Sequence, residues 1–152
     1  MNKMPVNIFI TKNESETENA GYAFAASIEE VGKDVSKPVF VAFYGELGSG
    51  KTAFVRGMAR YIVPEAYVCS PTYSIINVYE GEKNLVHLDL YRITDEDDLY
   101  SIGFYELFDD QNSIIVAEWC ENIPYALPEN RFDVIFTQEN DGTRRIEIRH
   151  IK

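Results

Sequence analysis

The sequence predicts an α/β protein with a mixed β-sheet flanked by helices, and three observations carry that prediction. Strand-length apolar runs alternate with helix-spaced apolar positions in the first half of the chain, and two hairpin signals follow. One run, PVFVAFYG from Pro38 to Gly45, is apolar throughout, as a strand covered on both faces must be. Strands separated by helices pair in parallel while hairpins add antiparallel strands, so the sheet is mixed.

The elements follow in order. Val6 to Ile10 reads as a first strand. Ser15 and Glu18 have capping-box spacing, and Ala20, Phe24, Ile28 and Val31 then share one helical face that Gly32 ends. Pro38 to Gly45 is the expected central strand, and Lys51 to Ile62 the second helix. Thr72 to Tyr79 and Asn84 to Tyr91 flank the turn EGEK as a hairpin. In its second strand Val86, Leu88 and Leu90 alternate with His87, Asp89 and Tyr91, so one face is apolar and the other carries functional groups. The acidic segment from Thr94 predicts one or two short helices. Ser113 to Glu118 is another buried strand, and Asp133–Thr137 with Arg145–Arg149 flank Asn140-Asp141-Gly142 as a closing hairpin.

No repeat, low-complexity tract or linker divides the 152 residues, which suits one domain spanning 1–152. No apolar run approaches the ~20 residues needed to span a bilayer, and the start MNKMPVNIFITKNESE is too briefly apolar for a signal peptide, so a cytoplasmic location is expected. Cys69 and Cys120 are two widely spaced thiols that suit neither a disulfide framework nor a zinc site. Twenty-five acidic residues against fourteen basic ones give a net charge of −11, a field that repels a polyanion. Any work on RNA is therefore expected to pass through a partner that holds it.

GELGSGKT, Gly45 to Thr52, matches G-x-x-x-x-G-K-[ST] at every fixed position and lies between an apolar strand and a helix, where a phosphate-binding loop must lie. Gly45, Gly48 and Gly50 let the backbone of Glu46, Leu47 and Ser49 curl with N–H groups inward, at the positive end of the helix that follows. Lys51 can reach β- and γ-phosphate oxygens, and Thr52 can ligate the bridging Mg²⁺. Such a loop also needs a strand-end carboxylate. Asp89 and Glu118 compete for that place against the plain alternative of strand ends reaching water, and the four apolar residues before Glu118 favour it as the metal-side acid. His87 reads as a hydrogen-bonded strand residue rather than a ligand.

Taken in order, the loop, SPTYSIINVYEG, HLDLYRI, SIGFYELF and AEWCENIP resemble the TsaE family, formerly YjeE, over nearly the whole chain. These are small bacterial P-loop ATPases of tRNA threonylcarbamoyladenosine biosynthesis. The resemblance implies slow ATP- and Mg²⁺-dependent hydrolysis that supports repeated turnover by TsaD and TsaB, which transfer the threonylcarbamoyl group to the adenosine beside the anticodon; tRNA is met only through that assembly. It further implies that Lys51 and Thr52 are the loop pair, that Glu118 serves Mg²⁺ and that Asp89 serves hydrolysis or a nucleotide switch. Ser70 and Thr72 would belong to a switch-like segment, Trp119 would be a lever beside the site, and Thr11 and Arg144 would touch nucleotide. Where many relatives read E-W-P, this chain reads Glu118-Trp119-Cys120, and no neighbouring base makes that thiol a nucleophile. The rivals are a small-molecule kinase, which would need a basic lid, and a module whose hydrolysis is incidental; a signalling GTPase is disfavoured because no N-K-x-D motif follows the loop.

Overall fold

The computed structural model describes residues 7–32, 38–46, 49–66 and 75–152. Its strands are β1 (Asn7–Thr11), β2 (Val39–Tyr44), β3 (Ile76–Tyr79), β4 (Asn84–Asp89), β5 (Ser113–Glu118), β6 (Arg131–Gln138) and β7 (Arg144–Ile151). Its helices are α1 (Glu14–Gly32), α2 (Lys51–Ile62) and α3 (Glu96–Ser101), with a 3₁₀ turn at Tyr105–Asp109. All seven strands form one sheet in the order β1-β7-β6-β2-β5-β4-β3.

The apolar run at Pro38 to Gly45 does form the central strand. β6, β2, β5 and β4 are mutually parallel, and antiparallel strands close both sides: β7 and β1 beyond β6, β3 beyond β4. The two hairpins supply β7 and β3, β1 adds antiparallel to β7, and the turn glycine Gly142 has φ +87°. Parallel pairing aligns the carboxyl ends of β2, β5 and β4, with Phe43 opposite Glu118 and Glu118 opposite Asp89. Ligands of open α/β sheets bind outside such ends.

Side-chain alternation gives each face of the sheet its own core. Val41, Phe43, Leu85, Ile114 and Val116 pack under α1 and α2 with Phe24, Phe54 and Met58. Phe40, Ala42, Val86, Leu88, Ile115 and Ala117 pack on the other face with Leu99, Phe104 and Ile123. His87, Asp89 and Glu118 therefore fall on the α2 face, the one the Lys51 helix covers. Helices α1 and α2 meet so closely that the Cα of Gly57 lies against the backbone of Glu18.

Two local expectations shift. The cap of α1 is Asn13, not Ser15: its Oδ1 accepts from the Glu16 N–H at 2.8 Å, and Glu16 reaches back to the Lys12 N–H at 2.9 Å. N-x-x-E thus overrides S-x-x-E, because starting two residues earlier caps the helix directly after β1. Strand β4 ends at Asp89 rather than Tyr91, since the Asn122 side-chain amide donates to the Leu90 carbonyl and draws the chain out of the ladder. The acidic segment does open a short helix: Asp95 accepts from the Asp98 N–H at 2.9 Å. Val6 and residues 72–74 of the expected strands lie outside the described residues.

Among the described residues no helix is long and apolar enough to cross a membrane.

Candidate functional site

The end of β2 turns sharply into α2, and two glycines make the turn possible. Gly45 has φ +143° and Gly50, the residue before α2, has φ +101°, conformations that side chains rarely adopt. A Cβ on Gly45 would lie 2.7 Å from the Phe136 carbonyl oxygen, and one on Gly50 would lie 2.9 Å from Cδ of Arg144. At these two positions the turn is thus a cradle that only glycine fits, a larger residue colliding with β6 or with Arg144. Inside it the Ser49 hydroxyl is buried with no hydrogen-bond partner among the described residues. An orphaned donor beside the first N–H groups of a helix suits an anionic oxygen.

Lys51 is the first residue of α2 and is buried, its Nζ donating to the Gly45 carbonyl at 2.6 Å. The same Nζ lies 3.9 Å from Glu118 Oε1 and 5.2 Å from the Trp119 ring centroid. Glu118 Oε2 lies 2.6 Å from Nε2 of His87, which is fully buried. His87 is therefore the hydrogen-bonded strand residue expected of it. Lys51, Thr52, Asp89, Glu118, Trp119 and Arg144 line one cavity of about 310 Å³, with Glu14, Thr17, Gly50 and Ala53 completing its wall.

Asp89 and Glu118, rivals in the sequence, are register partners on adjacent strands. The site contains both. Thr11 stands one layer back: it is buried, its hydroxyl 2.7 Å from that of Thr17, and Thr17 rather than Thr11 lines the cavity. Thr11 and Arg144 are nevertheless cross-strand partners, so β1 and β7 deliver them to the same end of the sheet. Glu46 is exposed and flanks a neighbouring cavity of about 270 Å³ with Gly45, Ser49, Phe136, Thr137 and Gln138. Leu47, Gly48, Ser70 and Thr72 lie outside the described residues.

Sequence reasoning missed Thr17 and Glu14. The available signal was their place in the first turn of a helix entered directly from β1, once Asn13 is taken as its cap.

Trp119 has φ +63°, alone in positive φ among the described non-glycine residues. For a bulky side chain that conformation costs roughly 1–2 kcal/mol and marks a position held by its surroundings. Its ring meets the exposed Tyr91 edge-on at 4.9 Å, so it bridges the Lys51 ammonium and the surface. Trp119 fluorescence is expected to change when Mg-ATP is added; an unaltered spectrum in protein shown to bind nucleotide would remove it as a lever. Cys120, by contrast, is buried and donates its Sγ–H to the Ala117 carbonyl at 3.2 Å, and burial pushes its thiol pKa strongly up. It is packing, not a nucleophile.

A mixed sheet whose parallel central strands feed a glycine-cradled Lys-Thr pair into a helix, with two acids on the neighbouring strand ends, defines a P-loop nucleotide-binding fold. The family model described as "Threonylcarbamoyl adenosine biosynthesis protein TsaE" matches residues 11–146. TsaE of Treponema pallidum is 32% identical over 78% of this chain and 87% of its own, and TsaE of Rickettsia bellii 30% identical over 91% and 92%. The crystal structure of Bacillus subtilis YdiB superposes with a TM-score of 0.73 at 25% identity, covering 100% of this chain and 90% of YdiB. The chain belongs to the TsaE family of tRNA threonylcarbamoyladenosine biosynthesis proteins.

Proposed function

We propose that the chain hydrolyses ATP in the cytoplasm as an accessory component of the threonylcarbamoyladenosine machinery. It acts with TsaD and TsaB homologues so that those partners complete repeated transfers of the threonylcarbamoyl group to the tRNA adenosine beside the anticodon. The observation that carries this reading is the convergence of Lys51, Thr52, Asp89 and Glu118 on one cavity at the carboxyl ends of β2, β4 and β5.

The loop N–H groups and Lys51 receive the triphosphate and stabilise the charge that builds on the β–γ bridging oxygen as its bond to the γ-phosphorus breaks and the attacking water bonds to that phosphorus. The Thr52 hydroxyl and Glu118 would hold Mg²⁺, which when bound neutralises the phosphate oxygens. The cradle, the orphaned Ser49 hydroxyl and this small oxygen donor set fit a magnesium nucleotide, since Mg²⁺ takes few protein ligands beside phosphates and water. Asp89 stands where it can orient the attacking water or couple hydrolysis to movement. Residues 93–130 contain ten acidic residues and no lysine or arginine, which supports tRNA being held by the partners rather than by this chain.

Phosphate release and tRNA modification should be measured with TsaB and TsaD homologues added singly and together. Release is expected to rise with the partners, and repeated modification to require this chain; modification that proceeds equally well without it would end the proposal. Glu118→Gln is the matching variant. Its amide oxygen can still accept from His87, so melting should change little while Mg²⁺-dependent turnover falls at least about tenfold. Normal turnover at the normal Mg²⁺ requirement would remove Glu118 from the metal site.

A further inference from the structure

His87 is fully buried on the same face of the sheet as Glu118, and nothing in the hydrolytic assignment above uses it. A carboxylate can only accept, so the 2.6 Å contact requires Nε2 of His87 to carry the proton and donate it to Oε2 of Glu118. The other ring nitrogen, Nδ1, is buried and has no hydrogen-bond partner among the described residues, so the contact to Glu118 is the polar contact that orients the ring. The two oxygens of Glu118 are thereby divided. Oε2 is held by the histidine, and Oε1 is left facing Lys51 at 3.9 Å.

Without that hold the Glu118 side chain could rotate to bring both oxygens toward the buried ammonium of Lys51, turning them away from the cation position while Lys51 stays held by the Gly45 carbonyl. A histidine anchoring a carboxylate one bond removed from a cation is the kind of outer contact that fixes ligand direction and raises affinity.

We propose that His87 is a positioning residue, which by holding Oε2 keeps Glu118 a single-oxygen ligand directed at the divalent cation and keeps it off Lys51. The inference rests on the reading of Glu118 as a metal-side acid.

The test is binding of Mn²⁺, followed by the loss of its free-ion paramagnetic resonance signal, to the full chain with a non-hydrolysable ATP analogue. His87→Phe fills the buried volume without a donor and is expected to weaken Mn²⁺ binding by about ten- to a hundredfold. His87→Gln, which can still reach with an N–H, should restore it to within a few-fold of the natural protein. Nucleotide affinity in EDTA should be the same in all three. Should His87→Phe not fold, His87→Asn, whose amide is too short to reach Oε2, takes its place with the same expected loss. Mn²⁺ binding unchanged in a folded donor-less variant overturns the proposal, as does an equal loss of nucleotide affinity with and without cation. Glu118→Gln separates the two readings: if it weakens Mn²⁺ binding while the His87 variants do not, only the positioning role fails, and if it does not, the metal assignment of Glu118 fails first.

Discussion

Lys51→Ala is expected to lower phosphate release at least about a hundredfold, the scale seen when one preorganised charge donor is removed from a transition state. The expected size follows from where the ammonium sits. It is buried, held by the Gly45 carbonyl at the loop's start, and close to Glu118 and the Trp119 ring, so no solvated lysine can substitute for it. The variant should also bind ATP more weakly, because the loop loses its only buried cation among the described residues. A phosphate-release assay with matched protein concentrations checks this; turnover within a few-fold of the natural chain would overturn the assignment of the loop itself.

Gly57→Ala should give the largest loss of stability from a single methyl group. A Cβ at that position would lie 1.8 Å from the Glu18 carbonyl oxygen and 2.7 Å from its carbon, both backbone atoms with no rotamer to escape into. Gly21 makes the reciprocal approach, its Cβ position falling 2.1 Å from the Phe54 carbonyl oxygen. The methyl group can be accommodated only by moving α1 and α2 apart, which opens the contacts of Phe24 with Phe54 beneath them. Overpacking of this kind costs typically 1–3 kcal/mol, and near the upper end a chain of this size should melt about 10 °C lower. Thermal unfolding followed by circular dichroism measures it, and a midpoint within about 2 °C of the natural protein would mean that the helices do not meet in this way.

These two cases divide what the sequence reveals from what it conceals. The loop was legible because its signal is local: eight consecutive residues, a strand before and a helix after. The central place of Pro38 to Gly45 was legible for a similar reason, since a strand without polar alternation can only be covered on both faces. The relation of Asp89 to Glu118 was not. It depends on which strands are neighbours and in what register, and the twenty-eight residues between them carry no mark of that. Read locally the two acids are alternatives, and the sheet dissolves the choice by placing them side by side. The partnership of His87 with Glu118 was hidden by the same non-local pairing. Ser15 misled in the opposite way, because two overlapping caps fit the local pattern and only the position of β1 decides between them.

The register that joins Asp89 to Glu118 makes the ligand a judge of folding. Because side chains alternate, a slip of β4 by one residue would send His87 and Asp89 together to the far face and set leucines against Glu118, destroying the cavity while leaving most of the sheet's hydrogen bonds available. Nucleotide can then bind only to chains whose β4 has paired correctly, and whatever it binds it stabilises by mass action. A bound nucleotide would draw the population toward the one pairing that can hold it.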